Sequence, residues 1–303
     1  MVAVALTTPT SAPAAHPGHF APVHPGHRHG GPQRAYLALG DSLAFGYQQA
    51  KFESLAVKDP NAFDTGYVDD FAHALQMRDP RLEVVNDGCP GETTDSFING
   101  PCQYQLAFQL HHPYVGGPAS SQLSDALAFL AAHRHFVNPI TIDIGANDAL
   151  GEVRECEEKP ACVIEHAPAL LAHISTNLSL ILIDLRRAAP HAKIIVLGLY
   201  NPLGPQLPGS DQLTEKLNQA MDQVAGTVGA RFADPLPVFN PPGEAEQPTL
   251  CLLTNICGTP KDIHPTDAGY AVLGGLVLEQ FLAAPPFGPP WFGRRAHGHT
   301  SLH

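Results

Sequence analysis

The stretch "YLALGDSLAFGYQ", residues 36–48, runs an apolar strand pattern through Gly40-Asp41-Ser42 into a second apolar stretch. A serine at that junction has two readings. It is the cap of a helix, since Ser is a preferred N-cap residue, or a hydroxyl held at the lip of a sheet. One residue can serve both ends, because a helix N-terminus favours developing negative charge. The rest of the chain decides between these readings.

Outward from this stretch, strand and helix signals alternate. Residues 35–39, 82–86, 140–144 and 193–199 are near-continuous apolar runs, as expected of parallel strands covered on both faces, and 230–233 is a shorter candidate. Helical periods lie between them: 67–77 with Val68, Phe71 and Leu75 on one side, 122–133 with Leu123, Leu127 and Leu130, the long 163–188, 211–228 with Leu213, Leu217, Met221 and Val224, and 265–282. The pattern predicts an open parallel sheet with helices on both faces. Ligands of such sheets bind beyond the carboxyl ends of the strands, which is where Ser42 falls.

Bulk properties narrow the function classes. The 303 residues carry 44% hydrophobic side chains, enough for one large α/β domain. Lys and Arg number 17 against 29 Asp and Glu, a formal net charge of −12, which argues against nucleic acid as a partner. No run reaches about 18 uninterrupted apolar residues; the best, near 271–284, is broken by Gly, Glu and Gln, so the chain reads as soluble with no transmembrane segment. It is also read as a monomer.

Six cysteines fall into local pairs: Cys89 with Cys102, Cys156 with Cys162, and Cys251 with Cys257. With no C-x-x-C, the preferred reading among about 15 connectivities is three local disulfides in an oxidising compartment. The early stretch "VAVALTTPTSAPAA" resembles the tail of a signal peptide without its basic region, and with the cysteines it points to secretion. Residues 1–33, rich in Pro, Gly and His, and 285–303 are expected to be disordered, flanking a domain at 34–284. His16, His19, His24, His27 and His29 offer imidazoles without fixed metal geometry.

Three more short blocks sit at the same predicted edge as Ser42. "DGCPGETT" with Gly88 and Gly91 follows one strand, "GANDAL" with Asn147 and Asp148 follows another, and "KDIHPTDAGY" with His264 precedes the last helix. Nucleophilic acyl chemistry needs a hydroxyl, a base for its proton and donors for an oxyanion. Ser42, His264 and Asn147 supply those parts, and Gly91 lets backbone N–H approach a ligand. Taken singly, each has a plainer reading: Asn147 as a turn residue, Asp148 and Asp41 as structural hydrogen-bonders, Thr266 as a helix cap, His264 as a structural histidine. Together they give one rim with one chemistry.

With these four blocks in order, the chain resembles the SGNH hydrolases, the GDSL esterase/lipase family, over roughly residues 35–283, and among them the secreted, disulfide-containing actinobacterial type. The G-x-S-x-G of ordinary α/β-hydrolases is absent. The resemblance implies a flavodoxin-like three-layer α/β/α sandwich with a central five-stranded parallel sheet. It implies Ser42 as nucleophile, His264 as base, and an oxyanion hole from Ser42 N–H, Gly91 N–H and the Asn147 amide. It departs in one place. The family's triad acid stands three residues before the histidine, where this chain has Lys261, while Asp262 stands two before it. Asp262 is the candidate acid, and a backbone carbonyl orienting a Ser–His dyad is the alternative.

The expected activity is hydrolysis of small-molecule or lipid esters, with no cofactor and no metal. A carbohydrate O-acetylesterase, a non-catalytic SGNH-like binding protein and a metal-sequestering protein built on the His-rich tail are the alternatives. The loop at 97–117, with Phe97, Tyr104, Phe108 and Tyr114, and the segment 199–207 are candidate walls for an acyl group.

Overall fold

A computed structural model describes residues 34–283, apart from 57–58, 105–108 and 134. The expected tails, with their histidines, and Phe108 lie outside the described residues. The strands are β1 (Ala35–Gly40), β2 (Glu83–Asn86), β3 (Val137–Asp143), β4 (Ile194–Leu197) and β5 (Arg231–Ala233). The α-helices are α1 (Ser42–Phe45), α2 (Gln49–Ser54), α3 (Tyr67–Gln76), α4 (Thr94–Asn99), α5 (Gln122–His133), α6 (Ala146–Glu155), α7 (Pro160–Ala188), α8 (Ser210–Thr227), α9 (Leu236–Phe239), α10 (Glu246–Leu253) and α11 (Asp267–Leu282).

All strand pairs are parallel, in the order β2-β1-β3-β4-β5. Alternate residues of each strand feed opposite layers, as the pleat requires. Leu37, Leu39, Ile140, Ile142, Ile194 and Val196 join the core under α5, α7 and α8, whereas Tyr36, Ala38, Ile195 and Leu197 join the core under α3 and α11. The sheet is therefore the middle of three layers. Each fully buried aliphatic side chain in these layers contributes roughly 1.5–3 kcal/mol relative to exposure.

Strand edges differ from expectation by a few residues. β3 starts at Val137 and stops at Asp143, before Ile144, because Asp143 takes hydrogen bonds from other elements at the end of the strand. Six helices that the apolar periodicity did not mark are present: the short α1, α2, α4 and α9, and the longer α6 and α10. Among the described residues α7, not the 271–284 run, is the helix long and apolar enough to cross a membrane. Here its Leu170, Ile174, Leu178, Ile181, Leu182 and Leu185 are buried against the sheet, so it is a core helix.

The order of strands positions the site. From β1 the chain passes outward to β2 on one side and returns to β3 on the other. The β1/β3 junction is thus the switch point, where connections diverge and leave a crevice at the carboxyl ends. The register sets Gly40 opposite Asp143 there.

Candidate active site

Four segments meet at that crevice. Gly40 ends β1 at φ +141°, and a Cβ there would collide with the Asp143 backbone oxygen and carboxylate. Only glycine lets the chain turn this close to β3. Asp41 then caps α1, accepting the Leu43 N–H at 2.9 Å, while its own N–H donates to Asp143 Oδ2 at 3.1 Å. The cap is therefore Asp41, and Ser42 is the first helical residue, with its hydroxyl free to face the crevice.

Ser42 Oγ lies 2.9 Å from His264 Nε2. On the other side of the ring, His264 Nδ1 lies 2.5 Å from Asp262 Oδ1, which also accepts the His264 backbone N–H at 3.1 Å. Asp262 Oδ2 accepts the backbone N–H of Gln49 at 2.8 Å. Burial raises the Asp262 carboxyl, but the hydrogen bond and charge of His264, with the two backbone N–H groups, outweigh it and hold it below the usual carboxylate range. The ring packs edge-on against Tyr47 at 4.7 Å between centroids. Its backbone carbonyl accepts Asn255 N–H at 2.9 Å, and Gln48 Nε2 donates to Pro265 O at 3.0 Å. Thr266 caps α11, accepting the Gly269 N–H.

Asn147 sits in the first turn of α6, directly after β3. Its Nδ2 donates to the Glu92 backbone oxygen at 3.0 Å, which fixes the amide plane, and to Asp41 Oδ2 at a longer 3.3 Å. Asp148 does not reach the crevice. It accepts Thr94 N–H at 2.9 Å and Thr94 Oγ1–H at 2.6 Å, tying α6 to the start of α4. Gly91 has φ +82°, and the Tyr104 ring occupies the space its Cβ would need. Among the described residues neither the Ser42 nor the Gly91 backbone N–H donates to a protein acceptor. Ser42, Gly91 and Asn147 line one cavity.

A buried polar frame supports these groups, and the sequence reading missed it. Asp143 accepts Tyr67 OH at 2.6 Å as well as Asp41 N–H. Burial, with the charge of Asp41, pushes its carboxyl well up, and burial also raises Asp41. Gln122 clamps the end of β1 from both sides, accepting Gly40 N–H at 2.6 Å and donating to Gly40 O at 2.9 Å. It also donates to Glu92 Oε2 at 3.1 Å. The only sequence signal for this frame is a carboxylate inside the apolar run "ITIDIG".

The cavity measures about 560 Å³. Its walls are mainly apolar, with Leu150 and Val153 of α6, Leu199, Leu203 and Leu207, and Leu213 and Leu217 of α8, and carry a few polar side chains such as Arg154, Asn201 and Thr214. Among the described residues of the expected aromatic wall, only Tyr104 lines it. Phe97 is buried in the core, and buried Tyr114 donates to Asp87 O. The three cysteine pairs are disulfide-bonded as Cys89–Cys102, Cys156–Cys162 and Cys251–Cys257. Each brackets a segment at this rim: the Gly91 turn, the far end of α6, and the Asn255 segment under His264.

The family model for GDSL-like lipases/acylhydrolases matches residues 38–272. No curated protein matches the chain. Among solved structures, the lipase Lip_vut3 from a goat rumen metagenome superposes with a TM-score of 0.54 at 19% identity, over 82% of this chain and 97% of that one. Axe2, an acetylxylan esterase from Geobacillus stearothermophilus, gives 0.52 at 17% identity, over 83% and 95%. At these identities the likeness speaks for the fold.

Proposed function

The chain belongs to the GDSL-like lipase/acylhydrolase family and is a carboxylic ester hydrolase, and from that premise we propose that it cleaves acyl esters through a Ser42–His264–Asp262 relay. The observation that carries this reading is the His264 ring, 2.9 Å from Ser42 Oγ on one side and 2.5 Å from Asp262 on the other, at the mouth of the mainly apolar cavity.

His264 Nε2 takes the Ser42 proton as Oγ attacks the ester carbonyl. The carbonyl oxygen becomes an oxyanion held by Ser42 N–H, Gly91 N–H and Asn147 Nδ2–H. Asn147 is fixed by Glu92 O, so only its longer bond to Asp41 must yield. The tetrahedral intermediate collapses, His264 protonates the departing alcohol, and the acyl group stays on Ser42. Water, deprotonated by the same ring, then attacks and releases the acid. Asp262 selects the tautomer with a proton on Nδ1 and stabilises the imidazolium, remaining ionised throughout.

The cavity favours acyl groups longer than acetyl, since its depth is apolar and an acetyl would leave most of it unfilled. Three disulfides support an oxidising, extracellular setting. On this reading residues 34–284 are the catalytic domain. The test is hydrolysis of p-nitrophenyl acetate, butyrate and palmitate by wild type and Ser42→Ala. Activity rising beyond acetate and lost in the variant is expected. Turnover of acetate alone would replace this substrate with an O-acetylated one, and full activity in Ser42→Ala would remove the mechanism.

A further inference from the structure

A second cluster of chemistry-bearing side chains lies away from Ser42, at the end of β2. Asp87 follows the last residue of that strand, Asp125 lies on α5, and His112 lies on the connection between α4 and α5. Both carboxylate side chains have no exposed surface, while the His112 ring is 34% exposed. His112 Nδ1 stands 2.6 Å from Asp87 Oδ1 and 3.7 Å from Asp125 Oδ2. The nitrogen and one oxygen of each carboxylate all lie within 4.8 Å of one another.

Two atoms here are unaccounted for. Asp87 Oδ2 and Asp125 Oδ2 are buried and have no hydrogen-bond partner. A buried carboxylate oxygen without a partner is strongly unfavourable. Among the described residues His112 is the sole ion-pairing partner of either carboxylate. A dication held between the two carboxylates would give them the partner that His112 alone does not supply.

We propose that Asp87, Asp125 and His112 form a structural site for a divalent transition cation. Two carboxylate oxygens and one imidazole nitrogen suit Mn²⁺ or Zn²⁺ better than Ca²⁺, which takes oxygen donors alone. Neighbouring ligands bound at about 2.1 Å stand about 3–3.4 Å apart, so His112 Nδ1 and Asp87 Oδ1, now 2.6 Å apart, open while the wider separations, all within 4.8 Å, close. The ion displaces the proton between His112 Nδ1 and Asp87, which passes to solvent. The ligands are already oriented from behind: Asp125 Oδ1 accepts Val115 N–H at 2.5 Å, and Asp87 O accepts Tyr114 OH at 2.9 Å. The exposed edge of His112 gives the ion its way in. Bound there, it pins α5 and residues 112–115 to the strand end from which the Gly91 turn departs. It takes no part in ester cleavage.

Mn²⁺ is the probe, because the imidazoles of the N-terminal tail compete far more strongly for Zn²⁺. The full chain is stripped with chelator and titrated, with bound Mn²⁺ counted per chain and melting followed in parallel. Wild type is expected to bind one more Mn²⁺ per chain than Asp125→Asn or His112→Ala. At about a hundredfold excess over its dissociation constant, Mn²⁺ should raise the wild-type melting temperature by about 5 °C or more and leave both variants unmoved. His112→Ala removes only a partly exposed side chain, so it serves if Asp125→Asn does not fold. Equal Mn²⁺ counts in wild type and His112→Ala, or a wild-type melting temperature indifferent to Mn²⁺, would overturn the proposal. The orphan oxygens would then share a proton instead.

Discussion

Asp262 Oδ1 meets His264 twice, at the ring Nδ1 at 2.5 Å and at the backbone N–H at 3.1 Å. The two-residue spacing closes a small ring that locks carboxylate and imidazole into one plane of approach. In Asp262→Asn the carbonyl oxygen can take only one of the two positions, so either both His264 donors or the Gln49 N–H faces an NH2, and in both orientations the charge beside the imidazolium is gone. We expect kcat on p-nitrophenyl butyrate to fall by as much as ~10⁴ with KM little changed. A loss below about tenfold would mean that a backbone carbonyl, not Asp262, orients the ring.

On the proposed mechanism, Asn147→Ala removes one donor to the oxyanion. The expected loss in kcat is on the order of 10²–10³, again with little effect on KM. A rise in KM alone would place the amide on the ground-state ester instead.

Gly91→Ala introduces a Cβ at φ +82° into the space held by the Tyr104 ring. The left-handed conformation alone costs a non-glycine residue roughly 1–2 kcal/mol. Activity should drop in Gly91→Ala and stay low in the double variant with Tyr104→Ala. Full rescue by the second change would show that the ring, and not the backbone turn, sets the oxyanion donor.

Leu213 lies where the main cavity adjoins a second apolar groove lined by Ile164, Pro168 and Leu171 of α7. Leu213→Trp shortens the space available to an acyl tail. Palmitate hydrolysis should be lost while acetate turnover stays near wild type. Equal losses on both esters would put the acyl chain elsewhere.

Stability should follow the buried carboxyls. Burial raises Asp69 and Glu92 each to about 7. With folded values above unfolded ones near 4, the native state holds extra protons, so this contribution is full below about pH 4 and lost as pH rises through 7. Asp262 acts in the opposite sense: its depressed value adds stability above the unfolded pKa, lost as pH falls through the folded one. Thermal melting should therefore come later at pH 5 than at pH 8, and Asp69→Asn should flatten that slope. A melting temperature that climbs from pH 5 to pH 8 contradicts this assignment.

The sheet was legible because its central strands β1, β3 and β4 are buried on both faces, which leaves apolar runs such as "KIIVLGL" with few other interpretations. The glycine and polar blocks at its edge were legible because each directly follows a strand or precedes a helix. What escaped did so for physical reasons. In α6 the turn-like "GAND" opens a helix with no capping side chain and no buried residue, so no apolar stripe announces it. In α10 Pro248 sits within a helix of 8 residues, too short for periodicity to register. Gln122, Tyr67 and Asp143 are far apart in the chain and acquire their partners only once the layers pack. Ser42 read as a cap was one residue out, since Asp41 does that work and leaves the hydroxyl unspent.

One helix carries two duties. At its first turn α6 presents Asn147, in its middle it offers Leu150 and Val153 to the cavity wall, and at its end Cys156 is fastened to Cys162 at the start of α7. On the proposed mechanism, any shift of this helix to widen or narrow the acyl space would drag the amide away from the reacting carbonyl. Descendants of this enzyme that acquire new ester preferences are therefore steered toward trading side chains on a stationary α6, or toward remodelling the opposite wall on α8, where selectivity can drift without disturbing the chemistry.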